Sequence, residues 1–105
     1  MSQVLHFAEL LQRLVDKRYH EFLRVPALSA GIYVLPAGAS DRQKPHQEDE
    51  IYYVVKGKAK MRLGREERAI SQGDVIFVEQ TLEHRFFDIA EELVLLVIFA
   101  PAESS

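Results

Sequence analysis

Hydrophobic and polar positions follow two different periods along this chain. Phe7, Leu10, Leu11, Leu14 and Val15 recur at helical spacing with polar residues between them, which predicts a short amphipathic helix packed against a larger body. Asp16, Lys17 and Arg18 are expected to end it, and Pro26 discourages helix at the residue before it. From Ser29 onward the pattern is that of strands. Gly31-Ile32-Tyr33-Val34-Leu35 is β-branched and aromatic and is closed by Pro36-Ala37-Gly38. A polar loop runs to Pro45, and Glu50 to Val55 forms the next strand, with Lys56-Gly57-Lys58 as a hairpin turn. Ala59 to Leu63 alternates apolar or small with basic residues, so one of its faces is expected to be wet. A turn at Gly64 to Arg68 follows, then a strand over Val75 to Val78 opened by Gly73-Asp74. Glu79 to Leu82 breaks the pattern before His84-Arg85-Phe86-Phe87-Asp88, and Leu93 to Phe99 closes the structure.

Short strands at regular intervals with turns between them indicate a mainly β sandwich or barrel. No repeat or linker divides the chain. The expected organisation is a helix and lead-in over residues 1–28, a barrel over 29–100 and a fraying tail over 101–105.

Composition narrows the chemistry. A chain of 105 residues, 48% hydrophobic, has room for one domain with one closed core. With no cysteine there is no disulfide, thiolate site or thiol nucleophile, so a metal must be held by nitrogen and oxygen, which suits Zn, Fe, Mn, Ni or Cu. The net charge of −3 and the scattering of basic among acidic residues argue against a nucleic-acid partner. No apolar run approaches a membrane span, and the first residues lack the basic start and apolar core of a signal peptide. The expectation is a cytoplasmic protein with no membrane partner.

Two clusters carry candidate chemistry. In Pro45-His46-Gln47-Glu48-Asp49-Glu50, residues two apart point to one face of an extended chain, so His46, Glu48 and Glu50 can converge as a divalent-metal half-site. The plainer reading is a solvated acidic loop. His84 follows Gly73 to Val78 and a short turn; alone it reads as a packing or capping residue. His6 and His20 read as surface or packing residues. Tyr33, Tyr52, Tyr53, Phe86 and Phe87 read as mostly core, with some lining the lumen. No spacing favours a hydrolytic triad, and no glycine-rich phosphate loop is present.

Taken together the clusters resemble the two motifs of the cupin superfamily. The first motif is Gly, a loop, His-x-His, three or four residues, Glu, six residues, Gly; here Gly38 opens the loop, His46 stands at the second histidine, and Glu50 precedes Gly57 by the required six residues. The second is Gly, five residues, Pro-x-Gly, two residues, His, three residues, Asn; here Gly73 is followed after five residues by Glu79-Gln80-Thr81, then by His84 and Asp88. The first histidine falls at Lys44, and the proline and glycine of the second motif are Glu79 and Thr81. More closely, Arg18 to Gly31 followed by Pro45 to Glu50 is similar to a group of short bacterial cupin proteins defined by sequence rather than by an assigned reaction.

The resemblance implies a single-domain jelly-roll barrel with the helix outside, a homodimer, and a divalent metal ion (Zn, Fe, Mn or Ni) held by His46, Glu50 and His84. Glu48 is the expected fourth ligand, or a general base; Lys44, Gln43 or water are alternatives for that place. The implied function is a metal-dependent enzyme of dioxygenase, isomerase or decarboxylase type acting on a small organic molecule. The alternative is a non-catalytic barrel that binds or senses a small ligand, with or without metal, and Lys44 favours it slightly.

Overall fold

The computed structural model describes residues 2–14, 18–41 and 43–104. Its elements are α1 (Phe7–Gln12), β1 (Tyr19–Val25), β2 (Leu28–Leu35), β3 (Asp49–Leu63), β4 (Glu66–Ser71), β5 (Val75–Val78) and β6 (His84–Ala100). Every strand pairing is antiparallel, and the order is β1-β2-β6-β3-β4 with β5 also on β3. This is the mainly β jelly-roll expected from the strand pattern. Among the described residues no helix is long and apolar enough to cross a membrane.

Two long strands make the barrel close. β3 presents Glu50, Tyr52 and Val54 inward before Gly57, and Ala59 and Met61 inward after it, so the inward parity switches from even to odd. The register against β6 shifts at Val54/Lys56, Lys56/Lys58 and Lys58/Lys60. An extra residue in one strand bends it and turns the following side chains to the other face. Lys56-Gly57-Lys58 is therefore a bulge within one strand and not the expected hairpin turn. β6 does the same at Asp88, whose φ is +47°; His84 and Phe86 point inward before it, and Ile89, Leu93, Leu95, Val97 and Phe99 after it. Side chains from both halves of both strands thus meet in one core with Leu35, Ile70, Ile76 and Val78.

The helix packs where its pattern places it. Leu10 is its one buried residue, set against Ile32 and Val94 with Phe7, Leu11, Leu14 and Phe22 around them. Burying one such leucine is worth about 2 kcal/mol. The helix is shorter than the apolar pattern, ending at Gln12; Val15, Asp16 and Lys17 lie outside the described residues. Tyr19–Val25, assigned above to the lead-in, is an edge strand paired with β2. The segment after β6, expected to fray, is tied back to the sheet: the Ala102 N–H lies 3.4 Å from the Pro26 carbonyl, and the Glu103 N–H donates to Ser29 Oγ at 2.9 Å.

Candidate metal centre

The site lies at one mouth of the barrel, where the loop before β3 meets the start of β6. Asp41 anchors that loop. Its carboxylate accepts from the Tyr33 hydroxyl at 2.7 Å, from Gln43 Nε2 at 2.8 Å and from the Phe86 N–H at 2.9 Å. The turn before β6 is hooked to the same loop: the Thr81 N–H donates to the His46 carbonyl at 2.6 Å, and the Gln80 N–H to Asp49 Oδ1 at 2.9 Å. These bonds hold the two motif segments against each other.

Glu50 points inward from β3, opposite Val78 and Phe99, and is 2% exposed. Neither of its oxygens has a hydrogen-bond partner among the described residues, although Oε1 lies 3.2 Å from His84 Nε2. His84 opens β6 and is 3% exposed. Its Nδ1 lies 2.9 Å from the Leu82 carbonyl, which can only accept, so Nδ1 carries a hydrogen. The Tyr52 hydroxyl stands 3.3 Å from His84 Nε2 and donates to Gln43 Oε1 at 2.8 Å, the shorter of the two contacts. In the neutral ring the lone pair of Nε2 then faces the Glu50 carboxylate, an arrangement that needs a cation between them or a proton on Nε2. His46 completes the group: its Nε2 is buried without a partner among the described residues, and its ring packs edge-on to Phe99 with centroids 4.9 Å apart.

One ligand atom each from His46, Glu50 and His84 lies within 4.8 Å of the others. Around an ion with metal–nitrogen bonds of about 2.1 Å such atoms sit about 3–4 Å apart, so small rotations bring the set to bonding distance. Buried polar atoms are almost always paired, yet His46 Nε2 and both Glu50 oxygens have no hydrogen-bond partner among the described residues. The donor set fits a divalent ion.

The titration of the same groups follows from their surroundings. Burial opposes a charged His84 ring, but the Glu50 side chain, the Leu82 carbonyl and the charges of Glu50 and Asp41 outweigh it and raise its pKa. Burial, then the charge of Glu50, pushes the Tyr52 hydroxyl well up; burial likewise raises Tyr19 and Tyr33. All three phenols are neutral donors.

The other sequence candidates fall elsewhere. Glu48 is buried, but Oε2 accepts from Ser104 Oγ at 2.7 Å, and it stands outside the converging group. The parity argument fails for it because β3 begins at Asp49 and residues 47–48 form a bend. Lys44 is exposed. Gln43 lines the cavity, yet it is engaged at both ends, donating to Asp41 and accepting from the Tyr52 hydroxyl.

A cavity of about 170 Å³ opens onto the ligand group. It is smaller than the roughly 300–1,000 Å³ of drug-sized sites, which restricts an occupant to a small molecule. Tyr19, Tyr33, Tyr52, Val97 and Phe99 supply its walls, and Glu103 joins the polar groups. Tyr19, Asp41 and Glu103 were not singled out from sequence. The Tyr19 hydroxyl has no hydrogen-bond partner among the described residues and occupies the space where a Cβ on Gly31 would stand. Only a glycine at that point on β2 leaves room for it.

A family profile described as Cupin domain matches residues 31–99. An uncharacterized protein of Streptomyces coelicolor is 44% identical over 89 residues, 85% of each chain. Among solved structures, the TT1209 protein of Thermus thermophilus is similar with a TM-score of 0.76 at 23% identity, over 96% of this chain and 99% of that one. KdgF from Halomonas sp. is similar with a TM-score of 0.72 at 25% identity, over 79% of this chain and 76% of that one. With the barrel, the two motif segments and this match over most of its length, the chain belongs to the cupin domain family.

Proposed function

We propose that this cupin binds one divalent metal ion through His46, Glu50 and His84 and uses it to hold a small organic molecule in the adjoining cavity. The observation that carries the reading is the buried Glu50 carboxylate, without a hydrogen-bond partner among the described residues, 3.2 Å from Nε2 of a ring whose Nδ1 faces a carbonyl. Burying an unpaired carboxylate costs several kcal/mol, which a bound cation offsets.

Two histidines and one carboxylate leave open positions on the ion, the arrangement found in non-haem iron oxygenases and in Lewis-acid sites that polarise a carbonyl. Either chemistry suits an enzyme of oxygenase, isomerase or decarboxylase type. The protein's own contribution is to hold the ligands and orient the bound molecule. In this reading the Tyr19 hydroxyl, without a partner among the described residues, donates to an oxygen of that molecule, whereas Tyr33 and Tyr52 are engaged by Asp41 and Gln43. Glu48 is held by Ser104 through Oε2 and stands outside the converging group, so water or substrate takes the fourth position in this reading.

Titration of metal-stripped protein with Zn²⁺ or Co²⁺ tests the proposal. Wild type should bind one equivalent, and His46→Ala and His84→Ala should each weaken binding by about 100-fold or more. Equal affinity of wild type and both variants would sink the metal site. The second reading is a metal-free barrel in which a protonated His84 pairs with Glu50; the raised His84 pKa favours it, and it predicts no stoichiometric binding.

We also propose a homodimer. Val75 and Phe77 on β5 are 68% and 59% exposed and lie in register beside the half-exposed Tyr53 and Ile51 of β3. Such an apolar strip on an outward sheet face supports burial against a second copy. Light scattering should give a dimer mass for wild type and a monomer for Phe77→Lys; a monomeric wild type would end the proposal.

A further inference from the structure

We infer that Glu103, carried by the segment after β6, is a positioning residue for His46, and that docking of residues 101–104 is coupled to metal binding. This rests on the metal-binding reading above.

The segment is latched at several points on the rim of the cavity. Besides the Ala102 and Glu103 N–H bonds to β1–β2, the Glu103 carbonyl accepts from Arg24 Nη2 at 2.8 Å, and Ser104 Oγ donates to Glu48 Oε2 at 2.7 Å. Ser29 and Glu48 are both buried, so these contacts occupy polar groups that water does not reach. The latch delivers the Glu103 side chain into the cavity, with Oε2 3.4 Å from His46 Nδ1.

That contact solves a problem His46 shares with His84. An imidazole that ligates through Nε2 must carry its hydrogen on Nδ1, and an acceptor at Nδ1 fixes both the tautomer and the ring orientation. His84 has the Leu82 carbonyl for this purpose. At His46 the corresponding acceptor is the Glu103 carboxylate, while Nε2 is buried without a partner among the described residues. Glu103 approaches Nδ1, which leaves Nε2 for a ligand bond, and contributes no atom to the converging group, so it acts through His46. At 3.4 Å the contact is long for a hydrogen bond, and it is expected to shorten when a cation polarises the ring. Because the carboxylate arrives on a latched segment, whatever releases the segment loosens His46, and metal binding tightens the latch in return.

Two readouts test this, one of them free of metal. In long-range ¹H–¹⁵N spectra of the apo protein at alkaline pH, His46 should carry its hydrogen on Nδ1 in wild type and in Glu103→Gln, whose amide oxygen still accepts. It should move toward the Nε2–H form in Glu103→Ala. In Zn²⁺ or Co²⁺ titrations Glu103→Ala should bind about 10- to 100-fold more weakly, with Glu103→Gln retaining most of the affinity. Glu103→Asp, which draws the acceptor back from Nδ1, should behave like the alanine variant and stands in for it if that variant does not fold. An unchanged tautomer and affinity in Glu103→Ala overturns the inference. So does a glutamine variant as weak as alanine with the tautomer intact, which would make Glu103 a direct ligand. If wild type binds no metal, the proposed function fails, while the tautomer still decides the role of Glu103.

Discussion

Glu50→Leu should fold with an apo melting temperature at or above that of wild type and should lose the rise in melting temperature that metal confers. Glu50 is 2% exposed and has no hydrogen-bond partner among the described residues, so at a pH where His84 is neutral its charge is a burden on the apo fold. Replacing buried ionic groups with apolar side chains of similar volume is often neutral or stabilising. For wild type, metal at about 100 times its dissociation constant adds about 2.7 kcal/mol, or roughly 10–20 °C in a domain of this size. The pH dependence separates the two states further. The folded-state pKa of His84 is raised, so its protonated form gives the apo protein stability that is fully present below the unfolded value of about 6.5 and is lost as pH rises through the folded value. Metal displaces that proton, so the metal-induced shift should grow over the same interval. Over that interval the stability of wild type should fall without metal and stay level with it, and neither the fall nor the metal shift should remain in Glu50→Leu. A metal shift that survives in Glu50→Leu would remove the carboxylate from the site.

The separation between what was legible in the chain and what was not follows the range of the interactions. Glu50 and His84 are readable because each opens or continues a strand of clear alternation, and the motif spacing sets them on inward positions. Glu48 shares their parity on paper, but parity is a property of extended backbone, and the bend at 47–48 cancels it. β1 is hard to read because an edge strand is only half-buried, and Tyr19-His20-Glu21 carries no clean alternation. Tyr33 and Tyr52 line the cavity as expected of some strand aromatics, whereas Tyr53 faces outward on the next position. Tyr19, Asp41 and Glu103 reach the site only through closure of the barrel: Asp41 bonds to Phe86 on another strand, and Glu103 to His46 from beyond β6. No local pattern marks such residues, since their neighbours in sequence are not their neighbours in space.

The bulge at Gly57 is the feature whose loss should cost most. Gly57→Ala is expected to destabilise the protein by about 2–6 kcal/mol, combining a strained backbone of about 1–3 kcal/mol with a forced overlap of about 1–3 kcal/mol. The residue has a φ of +109°, and a Cβ there would overlap the Glu92 carbonyl oxygen and stand 2.8 Å from Leu93 Cα. Both obstacles are backbone of the neighbouring strand, so no side chain can rotate away. Escape by removing the bulge is no easier, because a one-residue slip would turn Ala59 and Met61 out of the core and Lys58 and Lys60 into it. Against a typical domain stability of about 5–15 kcal/mol, urea unfolding should show a large fall in the midpoint, or no folded baseline at all. Gly38→Ala is the control: its φ is +77°, but nothing lies within 4 Å of the added Cβ, so it should lose only the cost of the backbone conformation. Equal losses at the two glycines would mean that the close approach of β3 and β6 contributes nothing. A loss at Gly57 larger than that at Gly38 measures what the close approach of β3 and β6 demands of this position beyond its backbone conformation.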